Sequence, residues 1–182
     1  RAVRRDDAGV TVASTAGDAR YDAIVLACHS DEALALLADA DAREREILGA
    51  IGWQTNDVVL HTDARLLPRR RRAWAAWNAF VPAQPDAHCT VSYCMNLLQG
   101  IDSARPFVAT LNRAAAIDPA HVLARATYAH PVFDAAAVAA QRRKADIQGQ
   151  RRTWFAGAYW GWGFHEDGMR SAHAVAADFG VA

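Results

Sequence analysis

The twelve residues GAYWGWGFHEDG, Gly157 to Gly168, set His165, Glu166 and Asp167 side by side behind a run of glycines and aromatics. An imidazole beside two carboxylates can hold a metal, move a proton or simply cap a helix. A zincin helix needs His-Glu-x-x-His, which places two imidazoles one turn apart. Here the residue four after His165 is Met169, and the next histidine is His173. His88, Cys89 and Cys94 have no closed ligand spacing, so no metal site is expected. Nucleophilic catalysis has as little support. There is no G-x-S-x-G elbow, Ser30, Ser92, Ser103 and Ser171 lack a recognisable partner, and Cys28 reads as a structural thiol after a buried strand. No catalytic residue is assigned.

A second cluster is PRRRRAWAAW, where Arg69 to Arg72 precede Trp74 and Trp77. Arginines interleaved with aromatics can grip single-stranded nucleic acid. These four are consecutive, which reads instead as a solvated turn leading into a strand. A second reading has them steer an anionic or lipid-like substrate. The formal net charge of zero removes the usual electrostatic argument for a nucleic-acid or anionic-membrane partner. No apolar run approaches the roughly 20 residues of a spanning helix. Three cysteines (Cys28, Cys89 and Cys94), odd in number and without CxxC spacing, suggest thiols in a reducing, cytoplasmic setting. The chain opens without Met, inside what reads as a strand, and is expected to be a fragment.

The elements that must position these residues fall into three stretches. Residues 1–30 read as a meander with turns at Asp6–Gly9 and Ala16–Asp18. The apolar run Ile24–Ala27 follows, expected to be covered on both faces. A helix capped by Ser30 or Asp31 comes next, then a second through DAREREILGAI that stops near Gly52. The middle offers strands in NDVVLHTD, AWAAWNAFV, CTVSYCMNLL, PFVATLN and ARATYAHPVF, separated by Pro68, Pro82, Pro85 and Pro106. A helix is expected over 134–147, ending at Gly149. TWFAGAY then makes a buried strand, and HEDGMRSAHAVAADFG a closing helix ending at Gly180. The fold class is α+β, a largely antiparallel middle sheet with strand–helix material at both ends.

Within that frame the backbone of the terminal segment matters more than its acids. Gly161 and Gly163 remove Cβ atoms where the chain turns. The helix that follows is expected to present N–H groups of Glu166, Asp167 and Gly168 at its positive end. Two carboxylates there would repel a phosphate. A neutral ring that gains negative charge on reduction, such as the pyrimidine edge of a flavin, would be a better guest. A tight strand-to-helix turn with no ligand reads equally well from local physics.

The closing strand-turn-helix resembles the C-terminal FAD-binding segment of flavin-containing amine oxidases. Nearly the whole chain is similar to NAD/FAD-binding proteins of that superfamily, through YDAIVLACHSDEALALLADA, LHTDARLLPRRRRAWAAWN, YCMNLLQG, YAHPVFD, IQGQRRTWFAGAYWGWGFHEDG and HAVA. The resemblance implies a two-domain α/β flavoprotein: a Rossmann-like FAD domain built from discontinuous segments, here 1–44 and 149–182, with a mixed-sheet substrate domain at 45–148. It implies FAD as cofactor, in the full-length protein more than in this piece, and hydride transfer from a small-molecule substrate to flavin N5. Gly157, Ala158 and Tyr159 match positions near the ribityl chain and pyrophosphate. Gly163, Phe164, His165, Glu166, Asp167 and Gly168 match the helix start under the pyrimidine edge. The relatives' acidic residue after the Ala-Gly pair is absent, Ala158 and Tyr159 standing there. Trp74, Trp77, Asn78, Tyr93 and Asn96 are the substrate-side candidates. An isomerase or desaturase acting on a lipid-like substrate is the rival activity. A homodimer through exposed surface, serving as an interaction module, is the non-enzymatic alternative.

Overall fold

The computed structural model describes residues 1–81 and 90–181, so Pro82, Pro85, His88 and Cys89 lie outside the described residues. The chain divides into two compact units, Arg1–Trp53 with Pro131–Ala182, and Gln54–His130.

The first unit opens with the expected meander. Strands β1 (Ala2–Asp6), β2 (Gly9–Ser14) and β3 (Gly17–Tyr21) pair antiparallel in that order. Strand β4 (Ile24–Leu26) pairs in parallel with β10 (Thr153–Phe155), Leu26 opposite Phe155. Two-sided cover of β4 was expected, yet Val25 is exposed while Leu26 is buried, so among the described residues one face of the strand is covered. Helix α1 (Ser30–Leu36) starts one residue early: its cap is His29, whose N–H donates to the Glu32 carboxylate at 3.2 Å. Helix α2 (Ala42–Gly49) has a full capping box. The Asp41 carboxylate accepts from Glu44 N–H at 2.9 Å, and Glu44 accepts from Asp41 N–H at 2.8 Å. Helix α4 (Ala135–Arg142) is shorter than the expected 134–147; a 3₁₀ turn, Lys144–Asp146, takes its last stretch before Gly149 turns left-handed at φ 69°. Helix α5 (His165–Asp178) closes the unit, with Gly180 at φ 71° beyond its end.

The packing explains why α2 and α4, read from sequence as part of the middle, stand in the first unit. Ile47 and Leu48 of α2 and Ala137 and Ala140 of α4 share one core with Val3, Val10, Leu26, Phe155 and Tyr159. A buried cation anchors the same unit. The Arg5 guanidinium on β1 forms a two-pronged pair with Glu44, donates to Asp39 at 3.1 Å and reaches Thr153 Oγ1 at 3.3 Å.

The second unit is the antiparallel sheet expected for the middle. Its order is β6-β7-β8-β5-β9, from β5 (Gly52–His61), β6 (Trp77–Phe80), β7 (Thr90–Cys94), β8 (Val108–Leu111) and β9 (Val122–Val132). CTVSYCMNLL is a strand only to Cys94. Residues Met95–Gln99 form a short helix, α3, stopped by Gly100 at φ 65°. One face carries Ser92, Cys94, Val108, Thr110, Val59 and His61, all buried. Leu66, Leu67, Ile117 and Trp74 pack on that side. A polar chain crosses it: His61 Nε2 meets Thr110 Oγ1 at 2.8 Å, and Thr110 Oγ1 meets Ser92 Oγ at 2.8 Å. Asp63 N–H donates to His61 Nδ1 at 3.1 Å, which fixes the neutral ring with its proton on Nε2.

Candidate functional site

The terminal turn is built around one carboxylate. After β10 the backbone passes Gly157, makes a 3₁₀ turn over Ala158–Trp160, and reaches α5 through Gly161, Trp162, Gly163 and Phe164. Asp167 Oδ2 accepts the N–H groups of Trp162 at 3.0 Å and Phe164 at 3.1 Å. Arg170 reaches its other oxygen at 3.3 Å. The capping role read for His165 therefore falls to Asp167; His165 is the first residue of the helix, and exposed.

The glycines divide by purpose. A Cβ on Gly161 would stand 2.8 Å from Asp167 Cβ, so this position must be bare for the carboxylate to reach the turn. Gly157 must be bare for the Tyr159 ring, whose Cδ1 would lie 2.6 Å away. Gly163 sits at φ 86°, a conformation that disfavours any other residue. Gly168 differs. A Cβ there would meet Ala158 Cβ at 3.8 Å, ordinary contact, so nothing among the described residues requires a glycine.

The free N–H groups are also shifted from expectation. Asp167 and Gly168 both donate to the Phe164 carbonyl, at 3.0 and 3.2 Å. His165 and Glu166 are the residues whose N–H groups precede the first helical bond. Around them Trp162 and Phe164 are more than half exposed. Tyr159 lies inside, 2% exposed, edge-on to Trp53 and tilted against Trp160. Its hydroxyl is the one buried side-chain polar atom without a partner among the described residues. Burial, with Cys28 nearby and opposed weakly by the Trp160 indole, whose N–H is given to the Phe155 carbonyl at 3.1 Å, pushes its ionisation well above the ordinary tyrosine range. Such an orphan costs about 1–3 kcal/mol unless something else supplies the hydrogen bond. The turn thus combines bare backbone at Gly168, two helix-start N–H groups with no partner among the described residues, and a buried hydroxyl lacking one.

The five substrate-side candidates separate. Trp77 lies opposite Tyr93 across β6 and β7, rings 5.5 Å apart and edge-on, on the face opposite Ser92 and Cys94; Trp77 is 54% exposed. Trp74 and Asn96 instead line a cavity of about 160 Å³ with Arg71, Cys94, Ser103 and Pro106. Asn96 is spent on its loop, donating to the Arg105 carbonyl at 3.1 Å and accepting from Phe107 N–H at 2.7 Å. Asn78 is likewise occupied by Ala75 and the Ser92 carbonyl. Sequence reading passed over His61 and Thr110 and left Ser92 without a partner; their signal was one polar residue among the inward positions of each of three adjoining strands. Among the described residues no group of three or more His, Cys, Asp and Glu could hold a metal, and no helix is long and apolar enough to cross a membrane.

No family model matches the sequence, and no curated protein does. Solved structures do match in fold. A CLA-producing fatty acid isomerase from P. acnes superposes over 98% of this chain and 46% of its own, at TM-score 0.64 and 20% identity. Putrescine oxidase, solved with putrescine bound, covers 100% of this chain and 48% of its own, at TM-score 0.61 and 13% identity. A protoporphyrinogen oxidase homologue from Exiguobacterium sp. 255-15 covers 98% and 45%, at TM-score 0.64 and 10% identity. At these identities the likeness is one of fold. The chain spans about half the length of each of these structures.

Proposed function

We propose that the chain is part of an FAD-dependent oxidoreductase, its first unit holding the flavin and its second binding a small-molecule substrate. The observation that carries this reading is the turn into α5, bare at Gly168 where nothing among the described residues requires a glycine. The N–H groups of His165 and Glu166 would hold the pyrimidine edge of the ring. Tyr159 would give its orphaned hydroxyl to the cofactor, and Gly157 and Ala158 would offer backbone alone. Asp167 keeps the turn in shape through Trp162 and Phe164 and stays out of the reaction. Bound flavin supplies an acceptor for a hydride from a substrate carbon. Trp77, exposed, and Tyr93, half-buried against it, would shelter that substrate from water. A cytoplasmic location and self-association through exposed surface belong to the same proposal.

The fatty acid isomerase among the fold relatives makes a second reading worth testing: isomerisation or desaturation of a lipid-like substrate. The full-length protein should purify with flavin or take it up stoichiometrically. Amine-dependent peroxide formation would mark the oxidase. Anaerobic flavin bleaching by an unsaturated lipid, without oxygen turnover, would mark the rival. Failure to bind flavin at all would dismiss both.

A further inference from the structure

Charge is divided unevenly along the chain. Residues 54–130 hold eight arginines against five aspartates, with no lysine and no glutamate, whereas the remainder is net acidic. Of those arginines, Arg65 has carboxylates in reach among the described residues, Asp63 at 2.6 Å and Asp118 at 3.8 Å. Arg69 and Arg113 have none there, yet both line, with Arg65, a cavity of about 410 Å³ in the second unit. The apolar part of its wall is Leu66, Leu67, Pro68, Ala79 and Phe80.

Arg113 is the unusual member. It is half-buried, with its guanidinium carbon 3.5 Å from the centre of the Phe80 ring. Stacking on a ring face satisfies part of the charge but none of the five N–H donors. Asn78, the amide in the wall, is already committed to Ala75 and Ser92, so it offers an anion no competing donor and a cation no free acceptor. A planar guanidinium held in place beside a second one matches the paired oxygens of a carboxylate or phosphate.

We propose that this notch binds an oxyanion, a carboxylate or phosphate, with Arg113 and Arg69 as its donors and Leu67, Pro68 and Phe80 as an apolar shelf. The source is either the head of an amphiphile, whose body lies on the shelf, or a free anion. The inference does not depend on the flavin reading.

Calorimetric titration of the full-length protein with octanoate and, separately, with inorganic phosphate tests it. Saturable binding should weaken about tenfold or more in Arg113→Gln and Arg69→Gln, the loss expected for a charged hydrogen bond. Arg113→Lys should also bind worse, since an ammonium lacks the planar fork. Arg72→Gln, in the same arginine run but outside the cavity wall, should stay within about twofold of wild type. Binding of octanoate and not phosphate assigns the amphiphile; equal or tighter phosphate binding assigns the free anion. Either result supports the notch. Three results overturn it: no saturable binding of either probe, equal weakening by Arg72→Gln, or binding unchanged in both Arg113→Gln and Arg69→Gln. Unaltered flavin content and melting temperature in the variants separate this outcome from failure of the flavin reading or of folding.

Discussion

Arginine does opposite work in the two units. In the first, several arginines are tied to acids: Arg5 to Glu44 and Asp39, Arg143 to Glu46 and Asp146, Arg151 to Asp39, Arg20 to Asp6 and Arg170 to Asp167. In the second, Arg69 to Arg72 and Arg113 have no carboxylate among the described residues. The polar business of that unit's interior is handled by neutral groups, His61, Thr110 and Ser92. Pairs of this kind, the buried Arg5–Glu44 pair above all, hold their unit together. A unit whose charges are left open has donors to spare for something else.

The sharpest way to break this contrast is Glu44→Gln. The pair with Arg5 is 1% exposed on both sides, and removing the Glu44 charge leaves a buried guanidinium with the partly exposed Asp39 as its remaining carboxylate among the described residues. The expected loss is about 3–5 kcal/mol, read from chemical denaturation. Arg71→Gln in the second unit should leave stability almost unchanged by the same measurement.

The next effect is in pH. Burial, aided by His121 and opposed by Asp63, lowers the His61 pKa from 6.5. The folded ring then binds fewer protons than the unfolded one. Stability of the second unit should be flat above about pH 6.5 and fall as the pH drops below it, by at most about 1.4 kcal/mol per pH unit. The first unit titrates lower. Burial pushes Asp39 up, but Arg5 and Arg151 pull it below the ordinary 3.8, and Asp6 is held at about 2 by Arg20. Those contributions are complete above the carboxylate range and are lost only as pH falls through it. Hydrogen exchange should show the second unit loosening first on acidification, and His61→Gln should remove the early phase.

Tyr159→Phe gives the smallest shift. Deleting an orphaned hydroxyl should leave the flavin-free protein as stable as wild type or about 1 kcal/mol more stable, by thermal melting. Flavin affinity should fall at the same time. A loss of stability would mean that the hydroxyl has a partner within the protein.

Much of the scaffold was legible in the sequence because it rests on local patterns. The meander follows its Asp and Gly turns, and Asp41 and Gly180 mark helix ends by their chemistry. What was not legible depends on distant residues. Arg151 and Arg152 adopt left-handed backbone, at φ 51° and 62°, with side chains on Asp39, Asp7 and Asp22, more than a hundred residues away in sequence. No local rule places them there. The helix after Cys94 was missed because MNLL is as apolar as the strand before it, and only Gly100 marked its end. In the candidate site the glycine-rich turn was visible, but the division of labour within it was not. Asp167 holds the turn and Gly168 stays bare for another reason, a distinction set by contacts across the turn rather than by residue type.

That distinction offers the most direct test of the flavin wall. Flavin bound per mole of full-length protein should be compared between wild type and Gly168→Leu, with the melting temperature of the flavin-free forms as control. Leucine is a better helix former than glycine by somewhat under 1 kcal/mol and its Cβ has room beside Ala158, and the melting temperature shows whether the rest of the side chain is accommodated. The expected result is stoichiometric flavin in wild type and little or none in the variant. Equal flavin content in two equally stable proteins would contradict the assignment of this turn to the cofactor.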